Sequence, residues 1–207
     1  NKIHAQAGAL LSMIANRAME AELTGFEFAA GIPGTLGGAC VMNAGAYGGG
    51  MKDVLETVTV LTRDGDVKTL TKDELELGYR TSVIAKKDYI VLSAVIRLEN
   101  GKKEEIKAVM DDLKEKRITK QPLEYPSAGS TFKRPEGYFA GELIQDAGLR
   151  GFQVGGAQVS EKHCGFVVNK DQATAADVMN LMNQVSDKVY EMSGVRLEPE
   201  VKRLGVF

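Results

Sequence analysis

The sequence is poor in the residues that staple or metallate small proteins. Two cysteines, Cys40 and Cys164, cannot build a disulfide framework, and with only His4 and His163 no structural zinc site is expected. Charge of neither sign dominates: 26 Lys+Arg face 28 Asp+Glu, a formal net charge of −2. That balance excludes a generic basic nucleic-acid surface and an acidic disordered tail. No apolar run approaches the ~20 residues of a membrane span, and no charged-then-apolar signal segment opens the chain. Internal repeats and low-complexity linkers are missing too. The expectation is a reduced, cytoplasmic, soluble protein that binds neither nucleic acid nor membrane. Its 207 residues, 43% of them hydrophobic, can bury a real core in one large domain or two small ones.

Glycine is the residue in excess. There are 23, about 11% of the chain where ~7% is usual. Sixteen of them fall in two stretches, Gly31–Gly50 and Gly129–Gly165. Glycine gathers where backbone turns left-handed or comes close to something else, so these stretches mark the places to read closely.

Periodicity predicts mixed elements, hence an α+β class. Ala5 to about Leu23 reads as a helix with Leu10, Leu11, Ile14, Ala18 and Met19 on one face and Gly25 as its stop. Leu55–Thr62 and Val67–Thr71 alternate around Asp64-Gly65, a hairpin signal. Tyr89–Leu98 reads as a mostly buried strand. Glu105–Thr119 places Ile106, Val109, Met110, Leu113 and Ile118 on one helical face, and Pro122 ends it. Thr174 with Asp177 forms a capping-box start for a helix carrying Val178, Leu181, Met182, Val185, Val189 and Met192, with Gly194 closing it. Val195–Leu204 reads as a last strand. A boundary near residue 104 divides the chain into 1–104 and 105–207.

Five segments could carry chemistry. The run Gly31-Ile32-Pro33-Gly34-Thr35-Leu36-Gly37-Gly38, then Asn43-Ala44-Gly45-Ala46-Tyr47-Gly48, could offer backbone N–H groups to an anion. It lacks the Gly-Lys-Ser/Thr of a Walker loop and the G-x-G-x-x-G of a Rossmann fingerprint, so a phosphate loop and a tight structural crossing fit it equally well. Ser130, in Pro126-Ser127-Ala128-Gly129-Ser130-Thr131-Phe132-Lys133, lacks the G-x-S-x-G elbow of a hydrolase. Arg80, in Gly78-Tyr79-Arg80-Thr81-Ser82, taken alone reads as a solvated side chain. Glu198 and Glu200 flank Pro199 and could divide acid and base roles, though such pairs on exposed strands are usually solvated. His163-Cys164 is an adjacent pair that rarely meets productively.

In combination these segments say more. GIPGTLGG, MNAGAYG, YRTS, AGSTFKRP, AGLRGFQVGGAQVSEKHCGFVVN and EPEVKRLG, in this order, resemble the UDP-N-acetylenolpyruvoylglucosamine reductase family from about Gly8 to Leu204. The resemblance implies the second subdomain of a two-part FAD-binding domain followed by a smaller α+β substrate-binding domain. It implies FAD as cofactor, NADPH as hydride donor and UDP-N-acetylglucosamine enolpyruvate as substrate, in peptidoglycan synthesis and hence cell-wall biogenesis, cell shape and division, by a monomer. Gly31, Ile32, Pro33, Gly34, Thr35, Gly37, Gly38, Asn43, Ala44, Gly45, Ala46, Tyr47 and Gly48 would run along the FAD pyrophosphate. Side chains at Gly34, Gly37 or Gly38 would obstruct it. Arg80 would clamp the substrate carboxylate, Ser130 would donate a proton, and Glu200 would complete the electrostatics. Lys133, Arg134 and Gln158 would contact substrate, while Ser160 and His163 carry weaker expectations.

The interval of 50 residues between Arg80 and Ser130 looks like the shorter subclass, without a lid insertion. The family's first FAD subdomain has no counterpart here, so a truncated piece that binds FAD poorly and turns over slowly is expected. Two other classes share parts of the pattern: another FAD-linked oxidoreductase of the same fold, and a non-enzymatic nucleotide-binding module.

Overall fold

A computed structural model describes residues 1–205; the last two residues of the expected second domain lie outside the described residues. The chain divides into two compact units, Asn1–Arg117 and Ile118–Phe207.

The first unit opens with strand β1 (Lys2–Gln6), helix α1 (Leu11–Glu20) and the short strand β2 (Leu23–Thr24). Helix α2 (Leu36–Met42) follows, then strands β3 (Gly45–Ala46) and β4 (Gly49–Gly50) and helix α3 (Met51–Val54). Strands β5 (Leu55–Leu61) and β6 (Val67–Thr71), helix α4 (Val83–Lys86), strands β7 (Ile90–Arg97) and β8 (Glu99–Asn100), and helix α5 (Lys103–Lys120) complete it. An antiparallel sheet in the order β1-β7-β5-β6 backs the unit, and β2 pairs with β8. Leu11 and Ile14 of α1, Leu36 and Cys40 of α2, Val58 and Val60 of β5 and Ile96 of β7 meet in one core. Each large aliphatic side chain so buried contributes roughly 1.5–3 kcal/mol against exposure.

The hairpin forms as expected, with Gly65 at φ 90 between β5 and β6. The first helix is shorter than expected. Ala5 and Gln6 belong to β1, whose pairing with Ala94 and Ser93 of β7 overrides the helical preference of the alanines. Leu10 is exposed, and Glu22, at φ 55, takes the left-handed position after α1 where Gly25 was expected to stop it. Strand β7 buries one face, through Val91, Ala94 and Ile96, and is not buried throughout. The register shift between Thr59 and Val60 of β5 leaves Leu92 without a facing residue, which explains the break in alternation.

Helix α5 begins where the expected boundary lies, yet the units divide near its other end. Ile106 is buried against the Thr24–Gly101 region and Met110 packs on the first core, which holds most of the helix to the first unit. The rest of its apolar stripe is not buried as a face: Val109 and Ile118 are exposed.

The second unit contains strand β9 (Ser127–Ser130), helix α6 (Ala140–Asp146), strands β10 (Gln153–Val154), β11 (Ala157–Val159) and β12 (Phe166–Asn169), and helix α7 (Ala175–Ser193). Its sheet is antiparallel in the order β10-β11-β12-β9. Helix α7 starts at the expected capping box, where Asp177 N–H donates to Thr174 Oγ1 at 3.1 Å and Thr174 N–H to Asp177 Oδ2 at 2.9 Å. Gly194, at φ 71, ends it. Leu181, Met182, Val185 and Val189 enter the core, whereas Met192 is exposed. The expected final strand does not form. Pro199 pairs with Phe132 in an isolated bridge, flanked by Lys133 N–H to Glu198 C=O (2.8 Å) and Glu200 N–H to Thr131 C=O (2.9 Å), and has no N–H to offer a strand on its other edge. Among the described residues no helix is long and apolar enough to cross a membrane.

Candidate active site

The glycine stretch of the first unit divides into an inner and an outer part. Gly37 faces inward: a Cβ there would meet Ala7 Cβ at 3.0 Å and Ala7 O at 3.3 Å, so the glycine lets α2 close on the β1–α1 loop. The N–H groups of Leu36 and Gly37 donate to Ala9 and Ala7 carbonyls at 2.9 Å each. Those donors at the start of α2, expected to face an anion, are spent within the chain. Gly34 and Gly38 are exposed, and a Cβ at either would meet nothing within 4 Å. Gly34, at φ 138, also needs a backbone that other residues rarely adopt. Open backbone of this kind suits close approach by a dinucleotide, and to that extent the site fits FAD.

The rest of the stretch turns tightly. Tyr47 (φ 53) and Gly48 (φ 89) link β3 and β4 as a two-residue turn with both residues left-handed, as the type I′ hairpin requires. The left-handed Tyr47 carries an exposed ring. The Arg117 guanidinium lies 5.8 Å from that ring centroid, and a Cβ on Gly31 would meet Arg117 Cζ at 3.1 Å. No sequence pattern marked Arg117, because 70 residues of chain separate it from Tyr47. It brings a cation beside Gly31. Ile32 and Thr35 are half-buried and Pro33 is exposed. Asn43 is buried, with both ends of its side chain engaged: Nδ2 donates to Gly78 C=O at 2.8 Å and Oδ1 accepts Lys52 N–H at 2.9 Å. Ala44 accepts Met51 N–H through its carbonyl at 2.9 Å. Gly45 and Ala46 form β3.

Arg80 sits in a closed turn of the same unit. Gly78 N–H donates to Thr81 C=O at 3.1 Å, and Thr81 N–H returns to Gly78 C=O at 3.4 Å. Arg80 itself is left-handed, at φ 53, with its guanidinium 5.2 Å from the Tyr79 ring centroid.

Ser130 and Glu200 belong to the second unit. Ser130, at the end of β9, lies opposite Phe166 of β12 and is exposed. Its neighbour Thr131 is a buried junction. The Thr131 N–H donates to Gly165 C=O (2.8 Å), its Oγ1 accepts Val167 N–H (2.9 Å), and its carbonyl accepts Glu200 N–H (2.9 Å). The hydroxyl-bearing strand and the Glu200 segment are thereby fixed side by side. Lys133 pairs with Glu198, and Arg134 lies 3.8 Å from the Phe139 ring centroid. Gln158 lines a separate cleft of about 370 Å³ with Glu124, Tyr125, Ser160, Lys162 and Lys170, which does not include Lys133 or Arg134.

The His163-Cys164 pair has no thiolate character. Burial pushes the Cys164 thiol above its ordinary pKa and lowers His163. His163 Nδ1 accepts Gly165 N–H at 3.1 Å, a structural bond. Cys40, buried in the first core, is pushed up to about 12 by desolvation, so both cysteines are free, protonated thiols.

Comparison with known proteins first gives a class. Residues 1–71 match the FAD binding domain family, so the glycine loop belongs to a FAD-binding domain. Residues 121–204 match the C-terminal domain of UDP-N-acetylenolpyruvoylglucosamine reductase. The chain is 64% identical over 205 residues to that reductase from Agathobacter rectalis, covering 99% of this chain and 65% of the relative. It is 58% identical over 204 residues to the Caldanaerobacter subterraneus enzyme, covering 99% of this chain and 68% of the relative. The crystal structure of the reductase from Thermus caldophilus superposes with a TM-score of 0.84 at 39% identity, covering 96% of this chain and 72% of that one. This chain belongs to the UDP-N-acetylenolpyruvoylglucosamine reductase family. It spans about two thirds of the length of the curated relatives it matches.

Proposed function

We propose that this chain carries out, within a FAD-dependent and NADPH-using reductase, the conversion of UDP-N-acetylglucosamine enolpyruvate to UDP-N-acetylmuramate for peptidoglycan synthesis. FAD, when bound and reduced by NADPH, supplies the hydride that reaches the terminal carbon of the enolpyruvyl group. Open backbone at Gly34 and Gly38 receives the cofactor diphosphate, with Tyr47 and Gly48 beside it. The Arg80 guanidinium holds and polarises the substrate carboxylate through its planar fork of donors, stabilising charge that builds there as the double bond is lost. Ser130 Oγ donates a proton to the carbon next to the carboxylate, which completes the lactyl ether. A hydroxyl is a weak acid, but the carbanion-like centre it meets is a strong base. Glu200 completes the electrostatics beside Ser130. Lys133 and Arg134 contact the substrate on the same side, and Gln158 contacts it from its own cleft. The protein works as a monomer in the cytoplasm.

One observation supports this reading above the others: Thr131, the residue after Ser130, holds the Glu200 backbone at 2.9 Å. Another FAD enzyme of the same fold would have no reason to couple these two groups. The flavin-loaded protein should oxidise NADPH only when UDP-N-acetylglucosamine enolpyruvate is present. Rapid NADPH oxidation with no substrate, as dioxygen takes the electrons and becomes peroxide, would instead point to an oxidase.

A further inference from the structure

Two side chains grip the Arg80 turn from either end, and both contacts reach the last turn of α2. On the entry side, Asn43 Nδ2 donates to the Gly78 carbonyl at 2.8 Å. On the exit side, Ser82 Oγ donates to the Val41 carbonyl at 2.8 Å and accepts Ala85 N–H at 3.3 Å, capping α4. Both residues are buried, Asn43 at 8% exposure and Ser82 at 0%. Asn43 caps α2 in the left-handed region, at φ 44, a conformation that asparagine tolerates better than most residues. Its Oδ1 takes Lys52 N–H at 2.9 Å, which fixes the amide plane and leaves Nδ2 pointing at Gly78. Between the two grips the chain closes on itself through the paired Gly78–Thr81 bonds, with Arg80 as the left-handed residue inside.

We propose that Asn43 and Ser82 are positioning residues for Arg80. They fix the backbone of its turn to the end of α2, the helix that follows the flavin loop, so that the guanidinium is pre-set for the substrate carboxylate. This rests on the role given to Arg80 above. It also moves Asn43 from contacting cofactor to holding the turn. Pre-setting matters because a small misplacement of a clamp costs rate even when substrate still binds. A purely structural pair of bonds would change melting temperature and flavin loading. A positioning pair changes the step in which Arg80 acts.

The flavin-loaded protein, reduced with dithionite in the absence of oxygen, is mixed with UDP-N-acetylglucosamine enolpyruvate, and the return of flavin absorbance is followed. Asn43→Gly keeps the left-handed backbone and removes both side-chain bonds. It should slow the saturating reoxidation rate on the order of 10–100-fold, with flavin reduction by NADPH changed less than about twofold. Ser82→Ala should show the same split with a smaller loss. In an Arg80→Ala background, Asn43→Gly should add less than about twofold, because the group it positions is gone. Asn43→Asp, which keeps shape but sets a carboxylate against the Gly78 carbonyl, carries the same test if the glycine variant loses flavin. The proposal is overturned if the Asn43 and Ser82 variants reoxidise at the parent rate, or if their losses are equally large with and without Arg80. Parent-like reoxidation by Arg80→Ala alone would instead sink the role of Arg80, and this inference with it.

Discussion

The two glycine-rich stretches look alike in composition and do different things. In the first, Gly34 and Gly38 present open backbone while Gly37 packs inward on Ala7, so one loop holds both surface and joint. In the second, the tightest glycine is Gly156, where a Cβ would lie 2.0 Å from Asp171 O and 2.6 Å from Ala173 N. That glycine lets β11 approach the segment leading into α7 and touches no candidate ligand surface. A glycine excess therefore marks close approach, and only the structure says whether chain or ligand is the neighbour.

Substitutions in the two stretches should separate these cases sharply. Gly156→Ala drives a methyl into backbone that cannot move aside, and should destabilise the second unit by roughly 3 kcal/mol or more. Loss of a cooperative thermal transition in that variant is the expected result. Gly38→Ala should do the opposite to stability. Its space is open and it sits in α2, so the flavin-free protein should gain about 0.5–1 kcal/mol from the helix preference of alanine. Flavin affinity should meanwhile fall about tenfold or more by titration, roughly 1.4 kcal/mol, if the diphosphate lies over that backbone. Unchanged affinity would remove Gly38 from the cofactor site.

Smaller effects test the second unit alone. Thr174→Ala removes the hydroxyl that accepts Asp177 N–H and should cost about 1 kcal/mol in chemical denaturation. His163 gives a pH signature. Burial lowers its folded pKa, with the nearby Arg150 and Lys120 charges adding to the effect. The unfolded imidazole therefore takes up its proton first as pH falls. The stability that neutral His163 provides is full above the ordinary value near ~6.5 and is lost as pH drops through its lower folded value. His163→Gln should flatten that part of the melting-temperature profile.

Much of the fold was legible where local chemistry and tertiary structure agree. Asp64-Gly65 set the hairpin, and Thr174, Asp177 and Gly194 set both ends of α7. Where they disagree, the sequence misled. Ala5 sits in a segment of good helix formers, and only the pairing with β7 makes a strand of it. The ladder that the apolar pattern of the last segment promised shrinks to one bridge, between Phe132 and Pro199. Single residues of the proposed site had no local signature: Arg80 and Glu200 read as solvated side chains, Ser130 lacked a hydrolase elbow, and only the order of six motifs gave them meaning. Asn43 had a local signature but a hidden partner. Its place in a glycine motif pointed to the cofactor, while the bond that defines its surroundings is to Gly78, 35 positions away.

The proposed proton donation by Ser130, whose strand is tied to the Glu200 segment through Thr131, is the central claim, and Ser130→Ala tests it most directly. In single-turnover reoxidation of the reduced flavin by UDP-N-acetylglucosamine enolpyruvate, this variant should be slower by roughly 10²–10⁴-fold, with flavin binding and reduction by NADPH intact. Reoxidation at the parent rate would contradict the account.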